Sequence, residues 1–469
     1  MYADRGQARI HHRLICGTEA RNFPETLKRS RSMLRRTFAV LFGLSALLAT
    51  TARAAPDIQS WTTEKGARVL FVEAHDLPML DIRIVFDAGS ARDGKAEGLA
   101  RLTNRLLDQG AGGLDADALA EGLESRGAQL GSGSERDMAW LSLRSLSRAD
   151  LLDPALDLFV RIVTRPDFPR ADFKRERRRM QTAAQYRAQK PSAIAEEAFY
   201  RAVYGDHPYA TQPGGTVKTI PELTRGQVKD FYRRYYVAAN AVVAIVGDAD
   251  RARAEAIAAR LTDALPAGRR APDLPPVPDL REAKQQFIAH PSTQSHIWMG
   301  QPGDYRGDPD YFPLYVGNHI LGGSGLVSRI SEEVREKRGL SYSAYSYFYP
   351  MRRKGPYVLG LQTRNNTRDE ALDVLRDTLR TFIDKGPKPH ELDAAKKNIT
   401  GGFPIRVSSN SKIVEYLAVI GFYDLPLDYL QAFNSRVEAV TLEQIRDAFQ
   451  RRVHPERMVT VVVGGEVKD

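Results

Sequence analysis

Apolar and polar positions follow two periods along this chain, and their order predicts an α+β protein. Short apolar runs or strict alternation mark strands at Arg68–Val72, Leu80–Phe86 and Ala139–Leu146. In the second half they mark Ser295–Gly300, Ser341–Tyr349 and Tyr357–Thr363. Arg68–Val72 and Leu80–Phe86 are expected to belong to one hairpin or meander. Helical spacing marks Gly98–Leu107, the long polar stretch Asp172–Ala188, and Leu326–Lys337.

Two segments are built alike. Leu223–Asp248 and Val440–Gly465 each place a threonine before an amphipathic helical pattern, then a turn, then a β-branched run. At one constant offset of 217 residues, Thr224 matches Thr441, Gln227 matches Gln444, Asp230 matches Asp447, Arg234 matches Arg451 and Gly247 matches Gly464. An internal repeat explains this economically. Between the repeats, Pro266, Pro272, Pro275, Pro276 and Pro278 forbid helix and ladder pairing, so residues 266–280 read as an extended linker. The chain therefore divides into 55–265 and 281–469, two homologous halves, each expected to be a mostly antiparallel sheet with helices packed on it.

Charge modifies this picture mainly at the front. The 469 residues carry 68 basic and 58 acidic groups, a formal charge of +10, which invites a nucleic-acid or anionic-membrane reading. Residues 1–54 hold ten of the basic groups and three of the acidic ones. Arg35-Arg36 precede an apolar run from Phe38 to Ala49, and Ala52-Arg53-Ala54 supplies a small-x-small cleavage pattern. The run is too short for a bilayer span of about 20 helical residues. The expectation is a leader and signal peptide removed near Ala54, a periplasmic or otherwise secreted mature chain, no stable membrane span and no nucleic-acid partner. Removal leaves 58 basic against 55 acidic groups, a charge of +3, and takes away Cys16, the only cysteine. A disulfide scaffold and a cysteine nucleophile are both excluded from the mature chain.

Candidate chemistry lies in two motifs. The first is Gly98-Leu99-Ala100-Arg101-Leu102-Thr103-Asn104-Arg105. The second runs from Asn318 through Leu321-Gly322-Gly323-Ser324-Gly325-Leu326 to Val334-Arg335-Glu336-Lys337-Arg338-Gly339-Leu340-Ser341-Tyr342. Together they resemble the insulinase/pitrilysin family of zinc peptidases, and Tyr204-Gly205-Asp206-His207-Pro208-Tyr209 resembles a further first-half segment of that family. The resemblance covers residues 58–469 and implies two halves arranged as a clamshell.

In the family's zinc helix, Gly-Leu-Ala-His-x-x-Glu-His, two histidines bind the metal and the glutamate activates water. The matching positions here are Arg101, Arg105 and Asn104. Guanidiniums do not ligate zinc, and an amide lacks the basicity of a carboxylate. The family's third ligand should fall within residues 181–184, where no acid stands. The mature chain's seven histidines contain no i,i+3 or i,i+4 pair, and no Gly-x-Ser-x-Gly elbow is present. No metal site is therefore expected in this chain.

The second motif keeps its chemistry. The resemblance implies that Arg335 and Tyr342 reach a peptide held at a zinc site, where a guanidinium can grip a carbonyl and a phenol can stabilise an oxyanion. Gly322, Gly323, Ser324 and Gly325 are expected to approach substrate. Set against this, a helix-end arginine is usually solvated, and Tyr342, Tyr345, Tyr347 and Tyr349 can serve sheet packing alone. The basic run within Asp172–Met180 reads as a solvated face, with a docking surface as the alternative. The profile is that of the non-zinc subunit of a heterodimeric zinc endopeptidase acting on unfolded peptides. Its partner would be a homologous HxxEH-bearing subunit that carries the zinc. The alternative is a catalytically inactive scaffold or peptide-binding protein of the same fold.

Overall fold

The computed structural model describes residues 56–465, so the leader and cleavage pattern read in residues 1–54 lie outside the described residues. The strands are β1 (Gln59–Thr62), β2 (Arg68–Glu73), β3 (Met79–Phe86), β4 (Gly110–Ala111), β5 (Leu114–Asp115), β6 (Gln129–Ser134), β7 (Ala139–Leu146) and β8 (Ala241–Gly247). The second half adds β9 (Lys284–Ile288), β10 (Gln294–Pro302), β11 (Ser341–Phe348), β12 (Pro356–Arg364) and β13 (Val459–Val463). They form two large sheets, ordered β1-β2-β8-β3-β7-β6 and β11-β12-β10-β13-β9, beside the small β4-β5 pair. Each large sheet is antiparallel apart from one parallel pair, β2 with β8 and β13 with β9. The α+β class read from the periodicities is the one observed.

Six helices matter below: α1 (Leu99–Arg105), α2 (Arg170–Arg187), α3 (Pro191–Tyr204), α4 (Arg225–Tyr235), α5 (Asn410–Phe422) and α6 (Leu442–Arg452). The repeat is literal in three dimensions. Thr224 and Thr441 each close a capping box, with Gln227 and Gln444 respectively, at the start of α4 and α6. Each helix leads through a short 3-10 turn to a strand, β8 ending in Gly247 and β13 ending just before Gly464. Both glycines hold positive φ, 137° and 144°. A Cβ would collide with the Met79 carbonyl in one and the Gln294 carbonyl in the other.

Two local expectations are corrected. Arg68–Val72 and Leu80–Phe86 do not form a hairpin, because β8 inserts between β2 and β3 and pairs with both. The fully buried run Ala241–Gly247 is the apolar centre of the sheet, and a central strand has two neighbours to choose. Leu326–Lys337 is not one helix. Gly325 turns at φ 66°, Leu326 and Val327 sit in a 3-10 turn at 62% and 85% exposure, and the helix restarts only after Ser328. The Ser328 hydroxyl accepts the Ser331 amide at 3.3 Å as its N-cap.

The halves exchange helices. α3, from the first half, lays Phe199 against Trp298 of β10 at 5.6 Å, and shares a buried cluster with Val358, Val459, Val461 and Val463. α5, from the second half, approaches β2 and β8 so closely that a Cβ on Gly421 would lie 2.5 Å from the Leu70 and Val242 side chains. Each sheet thus buries one face beneath a helix supplied by the other half. Residues 266–280 form neither helix nor strand, but the segment is pinned. Leu274 and Val277 are buried, His207 Nε2 meets the Pro275 carbonyl at 3.0 Å, and Arg353 Nε donates to the Leu274 carbonyl at 2.7 Å. Among the described residues no helix is long and apolar enough to cross a membrane.

At one end of the first sheet, His75 is gripped by Asp248 (2.6 Å) and Glu73 (2.7 Å). The hydrogen bond to Asp248 first, and that to Glu73 second, hold the imidazole above its ordinary value of 6.5. A folded-state value raised above the unfolded one means the contribution is complete below pH 6.5 and fades as pH rises through the folded value. Stability measured by urea unfolding between pH 6 and pH 9 is expected to fall more in the native chain than in His75→Gln. Parallel curves for the two proteins would show that the imidazole adds nothing.

Candidate functional site

The helix at the first motif is held at its start by Asp93. Its two carboxyl oxygens accept the Gly98 amide at 2.8 Å and the Ala100 amide at 2.7 Å. Burial pushes this carboxyl up to about 8, opposed by those two amides. Leu99, Ala100, Leu102 and Thr103 turn into the core, which leaves Arg101 and Arg105 on the other face. Asn104 is buried and donates to the Trp140 carbonyl at 3.2 Å, tying α1 to β7. Arg105 places Nε and Nη2 on one oxygen of Glu176, at 3.0 and 2.7 Å.

Glu176 is the acid that sequence spacing missed. Residues 181–184, where the resemblance places the third ligand, lie further along the same helix, α2. Glu176 shares its buried face with Phe173, Met180 and Ala184, and is itself only 2% exposed. A lone acid at i, i+4, i+8 register with apolar residues was the available signal. Its second oxygen takes Arg179 at 2.7 Å, so Glu176 is saturated by guanidiniums. This donor set does not fit zinc, since two of its three helix positions are cations and the third is an amide. Among the described residues no group of three His, Cys, Asp or Glu is placed to hold a metal. Arg105→Ala is expected to cost about 1 kcal/mol in chemical unfolding, because Arg105 is half in water and Arg179 remains on Glu176. A loss below about 0.3 kcal/mol would mean the α1–α2 tie is not stabilising.

At the second motif, backbone irregularities aim the side chains. The helix Tyr311–Asn318 ends in a π-turn, His319–Gly323. Gly322 is buried there, and a Cβ on it would strike Ser346 of β11. Gly323, Ser324 and Gly325 lead outward to the exposed Leu326-Val327 tip. A second π-turn covers Glu332–Glu336, with the Lys337 amide reaching the Glu332 carbonyl at 3.0 Å. After Gly339, at φ 61°, β11 begins, and its register with β12 shifts between Ser341 and Ala344. Such a bulge re-aims the residues inside it. Tyr342 lies in this bulge at 80% exposure, with the Arg335 guanidinium 4.4 Å from its ring centre.

The structure therefore brings Arg335 and Tyr342 together, and separates Tyr342 from its neighbours. Tyr345 lies over Gly360, filling the space a side chain would take there, and stacks with Tyr347 at 5.9 Å. Those two serve packing, whereas Tyr342 faces solvent. No hydrogen bond or ion pair among the described residues joins the Arg335–Tyr342 pair to α1. On α3, the Glu196 carboxyl is raised by burial and lowered by Arg136 first, then by Arg187 and Arg101. The Tyr345 hydroxyl is raised to about 12 by burial and then by Glu196.

The Tyr204–Tyr209 segment braces rather than binds. Tyr209 donates its hydroxyl to Asp137 at 2.6 Å, and its amide meets His207 Nδ1 at 3.1 Å. Asp137 also accepts the Tyr423 hydroxyl at 3.0 Å and the Arg352 amide at 2.7 Å. It thus joins the β6–β7 turn to the end of α5 and to the β11–β12 loop.

Comparison with known proteins agrees with this architecture. Residues 68–216 match the insulinase (peptidase family M16) model, and residues 222–399 match the peptidase M16 inactive domain. The crystal structure of the peptidase M16 inactive domain from Pseudomonas fluorescens is 42% identical, with a TM-score of 0.85, over 88% of this chain and 98% of that one. The Helicobacter pylori protein named non-peptidase homolog YmxG is 24% identical over 410 residues, 86% of this chain and 92% of the relative. A Streptomyces coelicolor protein named uncharacterized zinc protease is 31% identical over 225 residues, 45% of this chain and 47% of the relative. On these matches and the duplicated, helix-exchanged fold, the chain belongs to the M16, or insulinase, family of peptidases.

Proposed function

We propose that this chain is the non-zinc, substrate-binding subunit of an exported two-subunit zinc endopeptidase acting on unfolded peptides. The observation that carries the reading is the contrast between its two motifs. The helix that should hold metal carries Arg101, Asn104 and Arg105, while Arg335 lies over the ring of Tyr342, which stands on an exposed bulge. An arginine laid on a tyrosine ring that stands 80% exposed supports a role toward another molecule. The inactive-domain match and the non-peptidase name of the Helicobacter relative support a chain that is inert alone.

In this reading the zinc and its three protein ligands belong to a homologous HxxEH-bearing partner. This chain supplies Arg335 to bind and orient a peptide carbonyl, and Tyr342 to donate to oxygen as it gains charge. The ring of Tyr342 beneath the guanidinium fixes the donor fork without consuming its N–H groups. Export rests on the leader read in residues 1–54. Sedimentation of the mature chain mixed with an HxxEH-bearing homologue from the same genome tests the pairing. A one-to-one complex is expected, and two independently sedimenting species would overturn it.

A further inference from the structure

We propose that the exposed face of α2 carrying Arg170, Lys174 and Arg178 is a docking surface for anionic lipid headgroups, which holds the chain at a membrane surface without crossing it. This goes beyond the reading of the chain as a peptidase subunit and does not depend on it.

The charge is concentrated. Residues 170–180, where α2 begins, hold six basic side chains and two acidic ones, a formal charge of +4. Residues 55–469 together carry +3, so the rest of that stretch is acidic on balance. Both acids of the segment are engaged away from the outer face. Asp172 pairs with Arg175, and the buried Glu176 takes Arg179 and Arg105, each at 2.7 Å. Arg177 turns back to the carbonyls of Pro221 and Leu223, at 3.0 and 2.9 Å. That leaves Arg170, Lys174 and Arg178. All three are exposed, and none takes part in a hydrogen bond or ion pair among the described residues. The segments in contact with α2 do not cancel them. Lys218 and Arg225 stand against Glu222 and Asp167 there, and Arg105 against Asp108.

The spacing makes a row. Positions i, i+4 and i+8 share one helix face, about 6 Å apart, while Phe173, Glu176, Met180 and Ala184 take the buried one. Like charges at this spacing repel, and Arg170 opens the helix, where a cation opposes the dipole. The row therefore weakens the helix that carries it, which argues for a role toward an anion outside the chain. The surroundings favour lipid over protein. Other exposed positions on this side are Ala171, Thr182 and Gln185, so the row offers charge and no apolar anchor. Protein partners draw most of their binding energy from buried aromatic and aliphatic anchors, whereas attraction to anionic headgroups needs only the charges. Further along α2, Tyr186 is 60% exposed, with Lys190 Nζ 4.1 Å from its ring centre. A ring with a polar tip suits the headgroup layer.

The test is co-sedimentation of the mature chain, residues 55–469, with vesicles of phosphatidylcholine alone or of phosphatidylcholine and phosphatidylglycerol in equal parts. Leaving off residues 1–54 removes their basic side chains from the comparison. The native chain is expected to bind the anionic vesicles and not the neutral ones, and raised salt is expected to release it. Arg170→Gln, Lys174→Gln and Arg178→Gln made together are expected to weaken that binding about 100-fold. Lys65→Gln, Lys95→Gln and Lys397→Gln made together remove the same charge elsewhere and are expected to leave binding as in the native chain. All six side chains are exposed and unpaired among the described residues, so both variants keep the native fold. Binding to neither vesicle, equal binding to both, no loss in the α2 variant, or an equal loss in the two variants would overturn the proposal. So would capture of a dye-labelled polyglutamate peptide through Arg170, Lys174 and Arg178 without binding to anionic vesicles, which would assign the face to an acidic protein.

Discussion

Arg335→Gln, introduced into the paired enzyme, is expected to lower kcat/KM for an unfolded peptide about 100-fold. The pair's position supports so large an effect. The guanidinium stands 4.4 Å from the Tyr342 ring, and Tyr342 is presented on a bulge at 80% exposure. The guanidinium lies on the exposed Tyr342 ring and beside Glu336, not in the core, so subunit association and thermal stability should be preserved on its removal. Tyr342→Phe separates the two roles. It keeps the ring beneath the guanidinium and removes only the hydroxyl, so a loss on the order of tenfold, mainly in kcat, is expected. If Arg335→Gln lost less than about threefold in an intact complex, the pair would be an ordinary solvated surface feature.

The second large effect concerns stability. Asp137→Ala is expected to cost about 3–5 kcal/mol in chemical unfolding. Its carboxylate receives Tyr209, Tyr423 and the Arg352 amide, all at 3.0 Å or less, from three separate stretches of the chain. Truncation leaves these donors unmet in a buried place, and burial is already the main influence raising this carboxyl above its ordinary value. The halves are joined at that point, so the loss should appear in one cooperative transition. Asp137→Asn, which keeps an acceptor, should lose markedly less. A cost below about 1 kcal/mol for the alanine variant would show that the brace is redundant.

Local elements were legible where one period governed. Ala139–Leu146 alternates cleanly and is a strand over those same residues, while the Thr–Gln capping boxes are written in sequence before α4 and α6. Pairing was not legible for β2 and β3, since nothing local tells a strand that β8, far along the chain, will insert beside it. Helix exchange was hidden for the same reason. Only the fold decides which sheet α3 or α5 covers. The break between Gly325 and Ser328 was written in the residues, as glycine followed by a serine cap, but the apolar spacing of Leu326 and Ile330 masked it.

At the site, residue types were readable and geometry was not. The loss of metal donors at Arg101, Asn104 and Arg105 follows from identity alone. Glu176 is not legible from a fixed spacing, because the buried face of α2 brings this acid, and none from residues 181–184, to Arg105. The bulge that exposes Tyr342 and the π-turn beneath Arg335 depend on hydrogen-bond register, which apolar periodicity does not encode.

The most direct measurement is hydrolysis of a fluorogenic unfolded peptide by three samples: this mature chain, its HxxEH-bearing homologue, and their equimolar mixture, with zinc content determined for each. The account predicts activity in the mixture far above the sum of the separate chains, with zinc retained by the homologue and none by this chain. Zinc bound by this chain together with hydrolysis in the absence of any partner would contradict it.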